Sequence, residues 1–159
     1  MALEAALFIP VLTMLIVFVI QFGKITYTYY AIRNAVYTAA RYASVQQGVN
    51  FCDLTGDPTI QGAIQFGVTG TTDGSAPPLI SNLTADMLSL NIACVDPASG
   101  VMGPCDTTSC GASGGSPRPD YLVVNVPGGY SMTPRMLFLT LDPIVLSPSV
   151  TVPFSGTSL

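Results

Sequence analysis

The sequence predicts an α+β protein: a long N-terminal α-helix, transmembrane and then amphipathic, joined to a small disulfide-bridged antiparallel β-rich C-terminal domain. Three observations predict it. From Ala5 to Gly23 no residue is ionisable, and Ala5 to Ile20 is apolar except for Thr13. Past that run, apolar or aromatic residues recur three and four apart at Phe22, Ile25, Tyr29, Ile32, Val36, Ala39 and Ala43. From about Gly48 the composition turns to Gly, Pro, Ser, Thr and Asn, and all four cysteines lie in this part. The change of character divides the chain into a helical segment, residues 1–47, and an exported globular domain, residues 48–159.

The first run has the length of a membrane span. About 19 residues rising 1.5 Å each cover roughly 28 Å, close to the hydrocarbon thickness of a bilayer. A core helix of a soluble protein is usually shorter and polar on one face. A signal peptide begins with basic residues and ends at a small-residue cleavage site. Here nothing basic precedes the run, and QFGKITYTYY continues the helix after it. Lys24, Arg33 and Arg41 all follow the span, which by the positive-inside rule would hold the rest in the cytoplasm. Four cysteines and a lysine-poor, Ser/Thr/Gly-rich remainder instead indicate export. Removal of a basic leader reconciles the two, so a mature chain is expected.

The helix is expected to continue to about Gln47 and to end at Gly48, because the 3.5-residue seam runs unbroken that far. Such a helix is about 69 Å long. Pro10 cannot donate its amide, which predicts a kink or local unwinding there. The remaining residues are too few to wrap a rod of this length, so its first half must be covered by lipid or by copies of itself. Glu4 is the only glutamate, and a carboxylate at the edge of an apolar helix costs a few kcal/mol unless paired. The nearest base on the same chain is Lys24, about five turns away. That leaves the N-terminal ammonium of a neighbouring subunit as partner, or a snorkelling position among lipid headgroups.

Composition narrows the function classes. Only 9% of residues are charged, against roughly 25% in ordinary soluble proteins. A net charge of −4 with five basic residues gives no basic patch, so no nucleic-acid partner is expected. The chain has no histidine, which removes the Ser-His, Cys-His and His-metal constellations. No enzyme activity and no cofactor are expected.

In the second part, a helix is expected to start at Asp57-Pro58, with proline at its first position, and to run through Ile60, Ile64 and Val68. Gly62 and Gly67 weaken it. A helical turn is expected over Thr84–Met87, and strands over Leu88–Val95, Tyr121–Val126, Leu137–Leu141 and Val150–Phe154. PASG, GASGGSPRP, PGGYSMTP and LSPS read as loops. The strands should form a small antiparallel sheet against the C-terminal half of the long helix.

Cys52, Cys94, Cys105 and Cys110 make an even set with three possible pairings, which the sequence does not separate. The preferred expectation is Cys52–Cys94, tying the helix end to a strand, with Cys105–Cys110 closing a short loop. A four-cysteine zinc site would need two closely spaced pairs, and only Cys105-x4-Cys110 comes near that. No metal is expected. Asp53 and Asp57 are too few for calcium and read as solvated loop acids. Asn82-Leu83-Thr84 matches the N-glycosylation sequon, a pattern common by chance.

The string LEAALFIPVLTMLIVFVIQFGKITYTYYAIRNAVYTAARYAS resembles the N-terminus of TadE-like pilins and pseudopilins, of the tight-adherence branch of type IV pilus-like systems. The resemblance lies in Glu4 before the apolar run, Pro10 within it, Phe22-Gly23-Lys24 at its end and the closing Ala39-Ala40-Arg41-Tyr42-Ala43. Type IV-like mature subunits usually carry the glutamate at the fifth place, whereas here it is fourth. The resemblance implies a subunit cut by a prepilin peptidase, held in the inner membrane, then assembled by the pilus machinery into a helical homopolymer on the cell surface. It makes Glu4, Pro10, Phe22 and Lys24 the candidate assembly residues. The alternative is a minor membrane-anchored pseudopilin that primes or tips a filament of another subunit. The chain's length fits that role, since major pilins of this class are much shorter.

Overall fold

The computed structural model describes residues 2–107, 110, 117–134 and 142–158, and the side chains of residues 8–156 among these. Helix α1 spans Ala2–Ser44 and helix α2 Pro58–Thr69, followed by a 3-10 turn over Ala85–Met87. The strands are β1 (Gln47–Val49), β2 (Ser89–Val95), β3 (Met102–Pro104), β4 (Tyr121–Asn125), β5 (Tyr130–Met132), β6 (Ile144–Leu146), β7 (Ser149–Pro153) and β8 (Thr157–Ser158). The predicted α+β architecture is the observed one. The expected strand over Leu137–Leu141 lies outside the described residues.

Helix α1 stays helical across Pro10, so the unwinding expected there does not occur. Thr13 Oγ1 donates to the Ile9 carbonyl at 2.7 Å and lies 3.0 Å from that of Pro10, giving the carbonyls beside the proline a side-chain donor. The helix ends at Ser44, three residues before the expected Gln47, because the C-terminal tail takes over. The Ser44 carbonyl accepts from the amides of Ser155 at 2.9 Å and Gly156 at 3.0 Å, so orphan acceptor capacity at the helix end is used. Gln47–Val49 then pairs in parallel with β8. A side chain at 156 would put its Cβ 1.8 Å from the Gln46 carbonyl oxygen, so only glycine fits this crossing.

The main sheet has the order β3-β2-β4-β7, every pair antiparallel. Leu90 faces Val124, and Leu122 faces both Ile92 and Val152. The buried members of this set share one core cluster with Ile32, Val36, Ala39, Ala40 and Ala43 of α1 and with Ile60 and Ile64 of α2. Four of the seven predicted seam positions, Ile32, Val36, Ala39 and Ala43, are therefore buried within the chain itself.

Helix α2 begins as expected. The Asp57 carboxylate accepts from the amides of Thr59 at 2.8 Å and Ile60 at 3.2 Å, and its other oxygen from Asn50 at 2.7 Å. Gly67 weakens α2 as a helix yet lets it approach α1. A Cβ there would meet the Ala35 carbonyl oxygen and the Ala39 Cβ, each at 2.7 Å.

The disulfides pair differently from the preferred expectation. They join Cys52 to Cys110 and Cys94 to Cys105, with Cα separations of 5.5 and 4.8 Å. The reason is the unanticipated strand β3. It pairs Cys94 with Gly103 and Ala93 with Pro104, which brings Cys105 to the side of Cys94. Cys52 is left for Cys110. Tyr130–Met132, expected in a loop, pairs with Ile144–Leu146 as a separate hairpin.

Candidate functional site

The two halves of α1 meet opposite surroundings. From Phe8 to Lys24 the side chains are exposed, except that Val17 and Gln21 are partly covered. Leu12 is 63% exposed and Phe22 62%, whereas Ile32 and Val36 are 0% exposed. An 18-residue window of this helix reaches a mean hydropathy of 2.1 with none of it buried, so it is long and apolar enough to cross a membrane. A surface helix ordinarily pairs an apolar stripe with a polar face. Here large apolar residues occupy all sides, and among the described residues none of them is buried by the rest of the chain.

The sequence-predicted assembly residues fall on this bare half. Glu4 lies in its first turns, and its side chain is outside the described residues. Pro10 is exposed. Phe22 is exposed and stacks on Phe18 with ring centroids 6.5 Å apart. Lys24 is exposed where the bare half ends. With Gln21, it lines a shallow cleft of about 190 Å³ against Met132, Thr133 and Pro134 at the end of β5. That cleft brings together positions more than a hundred residues apart and has no local signal in the sequence.

Just past Lys24 stand Tyr27, Tyr29 and Tyr30, all exposed. Tyrosine is enriched where apolar and headgroup regions of a membrane meet. The position of these tyrosines directly after the apolar run is the signal that marks a boundary. Further along, Asn34, Tyr37, Thr38, Arg41, Tyr42, Val45 and Phe66 line an open groove between α1 and α2.

The other candidates have structural work. All four cysteine sulfurs are held in disulfides, which leaves no thiolate for the zinc alternative. Asp53 accepts from the Gly56 amide and the Thr55 hydroxyl within its own turn. Asp57, expected as a solvated loop acid, is instead buried as the N-cap of α2. Burial alone would raise its pKa, but the amides of Asn50, Thr59 and Ile60 outweigh that and hold the carboxyl below its ordinary value. Asn82 sits exposed in a turn at φ 64°.

A long helix, apolar and bare for one half and locked into a small disulfide-bridged β domain by the other, defines a protein with a membrane-capable N-terminal helix. The family model of TadE-like proteins matches residues 1–41. Over that stretch, about a quarter of the chain, the protein is similar to TadE-like proteins. No curated protein and no solved structure matches the chain.

Proposed function

We propose that the chain is a structural subunit of a type IV-like extracellular filament, which polymerises through the bare half of α1. One observation carries the reading: a predominantly apolar helix half stands exposed beside a domain whose core forms without it. Each large apolar side chain taken out of water contributes about 1.5–3 kcal/mol. Lipid and the same half of neighbouring copies are therefore the two surroundings that suit it. In this reading the subunit waits in the inner membrane with its β domain outside, is cut by a prepilin peptidase, and passes laterally into the filament. The absence of histidine supports a non-enzymatic role.

Glu4 then sets register by pairing with a neighbour's N-terminal ammonium. Glu4→Gln keeps the shape and removes the charge. The expected outcome is an unchanged amount of protein in the membrane fraction and a loss of filaments in the fraction sheared from cells. Normal filament yield from this variant would overturn the role of Glu4.

The match to the TadE-like family, together with the chain's length, favours a second reading as a minor anchored subunit. Abundance separates the two. A major subunit dominates sheared filaments, and its density is traced by electron cryomicroscopy with the helix inside and the bridged domain outside. A minor one stays with the membrane fraction.

A further inference from the structure

We propose that the groove between α1 and α2 is a docking site for a second copy of the chain, which seats there the turn between its β2 and β3, from Asp96 to Met102. This contact rests on the homopolymer reading proposed above and adds to it a second, polar interface outside the bilayer. The groove has a volume of about 410 Å³. Tyr42 and Phe66 meet in its wall with ring centroids 5.0 Å apart, and Tyr37, Arg41 and Val45 stand exposed along it. Among the described residues Arg41 has no carboxylate partner. Aromatic walls with one cation suit a carboxylate flanked by apolar side chains, methionine included. The chain itself carries the complement. Between Glu4 and Cys52 its only charged residues are Lys24, Arg33 and Arg41, whereas all eight aspartates lie beyond Gly48, against two arginines. It is basic along α1 and acidic over its domain, so one copy complements the next.

In the turn after β2, Asp96 is exposed close to Val101 and Met102, which are 64% and 46% exposed. Its carboxylate accepts from the Ala98 amide at 2.9 Å and the Ser99 hydroxyl at 2.7 Å, one bond to each oxygen. These bonds fix the group and leave a lone pair on each oxygen for a guanidinium. Asp142 beside Ile144 and Val145 is a similar grouping, and height along the molecule decides between the two. The Ala93 carbonyl accepts from the Asp120 amide, the Asp120 carbonyl from Phe154, and the Ser44 carbonyl from Ser155, so the end of β2 is level with the end of α1. β4 starts at this level and leads to β5, whose end shares the cleft with Lys24. β2 runs antiparallel to β4, so its turn projects past the end of α1, whereas Ile144 pairs with Met132 at the level of Lys24. With the bare halves of α1 side by side, the turn of one copy meets the groove of a neighbour displaced along the axis by roughly 10–15 Å. Groove and turn are unlike surfaces, since α1 packs on β4 and β7 while β3 is the far edge of the sheet. Contacts between unlike surfaces build an open helical polymer when the rotation does not close.

A carbodiimide joins an amine to a carboxylate in direct contact, forming an amide with loss of water. Lys24 is the only lysine, so Arg41→Lys adds a single side-chain amine, in the groove. Filaments of this full-length variant, sheared from cells, would be treated with carbodiimide, run on a denaturing gel and mapped as peptides. The expected result is dimers and longer multimers linked between positions 41 and 96. Adding Asp96→Asn, which keeps the shape of the side chain, should reduce the 41-linked dimer about tenfold or more. Val101→Asp tests the same seat without a cross-linker. It places a charge against the aromatic wall from a position exposed in the single chain, and should lower the yield of sheared filaments about tenfold with the membrane-bound amount and melting temperature unchanged. Filaments in which position 41 links to other aspartates or to none, or Val101→Asp filaments at wild-type yield, would overturn the groove as a docking site and leave polymerisation through the bare half intact. Absence of the wild-type chain from sheared filaments would overturn both.

Discussion

Helix α1 is one element with two halves that use apolar residues in different ways. Between Phe8 and Phe22 the residues are mostly large (Phe, Ile, Leu, Val and Met), they lie on every side, and they are exposed. Between Ile32 and Ala43 the buried positions recur three and four apart, four of the six are alanine, and the opposite face carries Arg33, Asn34, Tyr37 and Arg41. Small side chains let α2 and the sheet come close, as the fit of Gly67 against Ala35 and Ala39 shows. Contacts inside the chain are thus made by a narrow stripe of small residues. Bulk all round is kept for surroundings the chain does not supply.

The same substitution in each half should give opposite results. Val36→Arg places a guanidinium at a position with 0% exposure within the apolar core, at a cost of several kcal/mol. The expected outcome is loss of the folded domain, read by circular dichroism in detergent. Leu15→Arg should leave the melting temperature unchanged and move protein out of the membrane fraction, since an arginine mid-span opposes insertion by about 2.5–3.5 kcal/mol or more. Equal thermal effects from the two variants would end the distinction between the halves.

The disulfides come next in size. Cys52–Cys110 closes a separation of 58 residues and Cys94–Cys105 one of 11. Chain-entropy arguments give about 4 kcal/mol for the first and about 3 for the second. Paired Cys→Ser replacement at 52 and 110 should therefore lower the melting temperature more than replacement at 94 and 105. Peptide mapping of unreduced protein checks the pairing, and a 52–94 linked fragment would contradict it.

That pairing also shows where sequence reasoning stops. Both helices, the 3-10 turn and the strands at 89–95, 121–125 and 149–153 carry periodicity or a cap in their own residues, so each was legible. Strand β3, Met-Gly-Pro, carries the composition of a turn. It becomes a strand only because β2 lies beside it, and the Cys94–Cys105 bridge follows from that register. β1, β5, β6 and β8 are two or three residues long and are likewise made by their partners. Of the candidate site, the bare run from Phe8 to Lys24 and the positions of Glu4, Pro10 and Phe22 were readable. The cleft that Lys24 lines with Met132–Pro134 was not, because tertiary folding alone brings them together.

Gly67 gives a smaller and more local test of how the inner half is held. Gly67→Ala should raise helix propensity in α2 by about 1 kcal/mol. Its Cβ would nevertheless stand 2.7 Å from both the Ala35 carbonyl oxygen and the Ala39 Cβ. Overpacking of this kind costs about 1–3 kcal/mol, so the net expectation is a destabilised protein. Gly62 lies in the same helix, where an added Cβ finds ordinary contacts beyond 3.4 Å, so Gly62→Ala should be neutral or stabilising. Chemical denaturation of the two variants side by side separates close approach from propensity.

The effect with the clearest pH signature belongs to Asp57, which anchors α2 and hence the partner of the inner half. Asp57→Ala removes an acceptor for three amides and should cost about 1–2 kcal/mol at neutral pH, in the range of N-cap deletions. The charge adds a pH signature. The folded-state pKa lies below the ordinary 3.8, so the carboxylate's contribution is complete above that value and fades as pH falls through the folded pKa. Asp73 and Asp96 are shifted in the same direction, so the wild type's acid sensitivity alone does not isolate Asp57. The difference between wild type and Asp57→Asn does. It should be constant from pH 7 to about pH 5 and shrink below about pH 4. A difference that grew on acidification would mean that Asp57 is held protonated by its burial, and that its hydrogen bonds do not outweigh the loss of water around it.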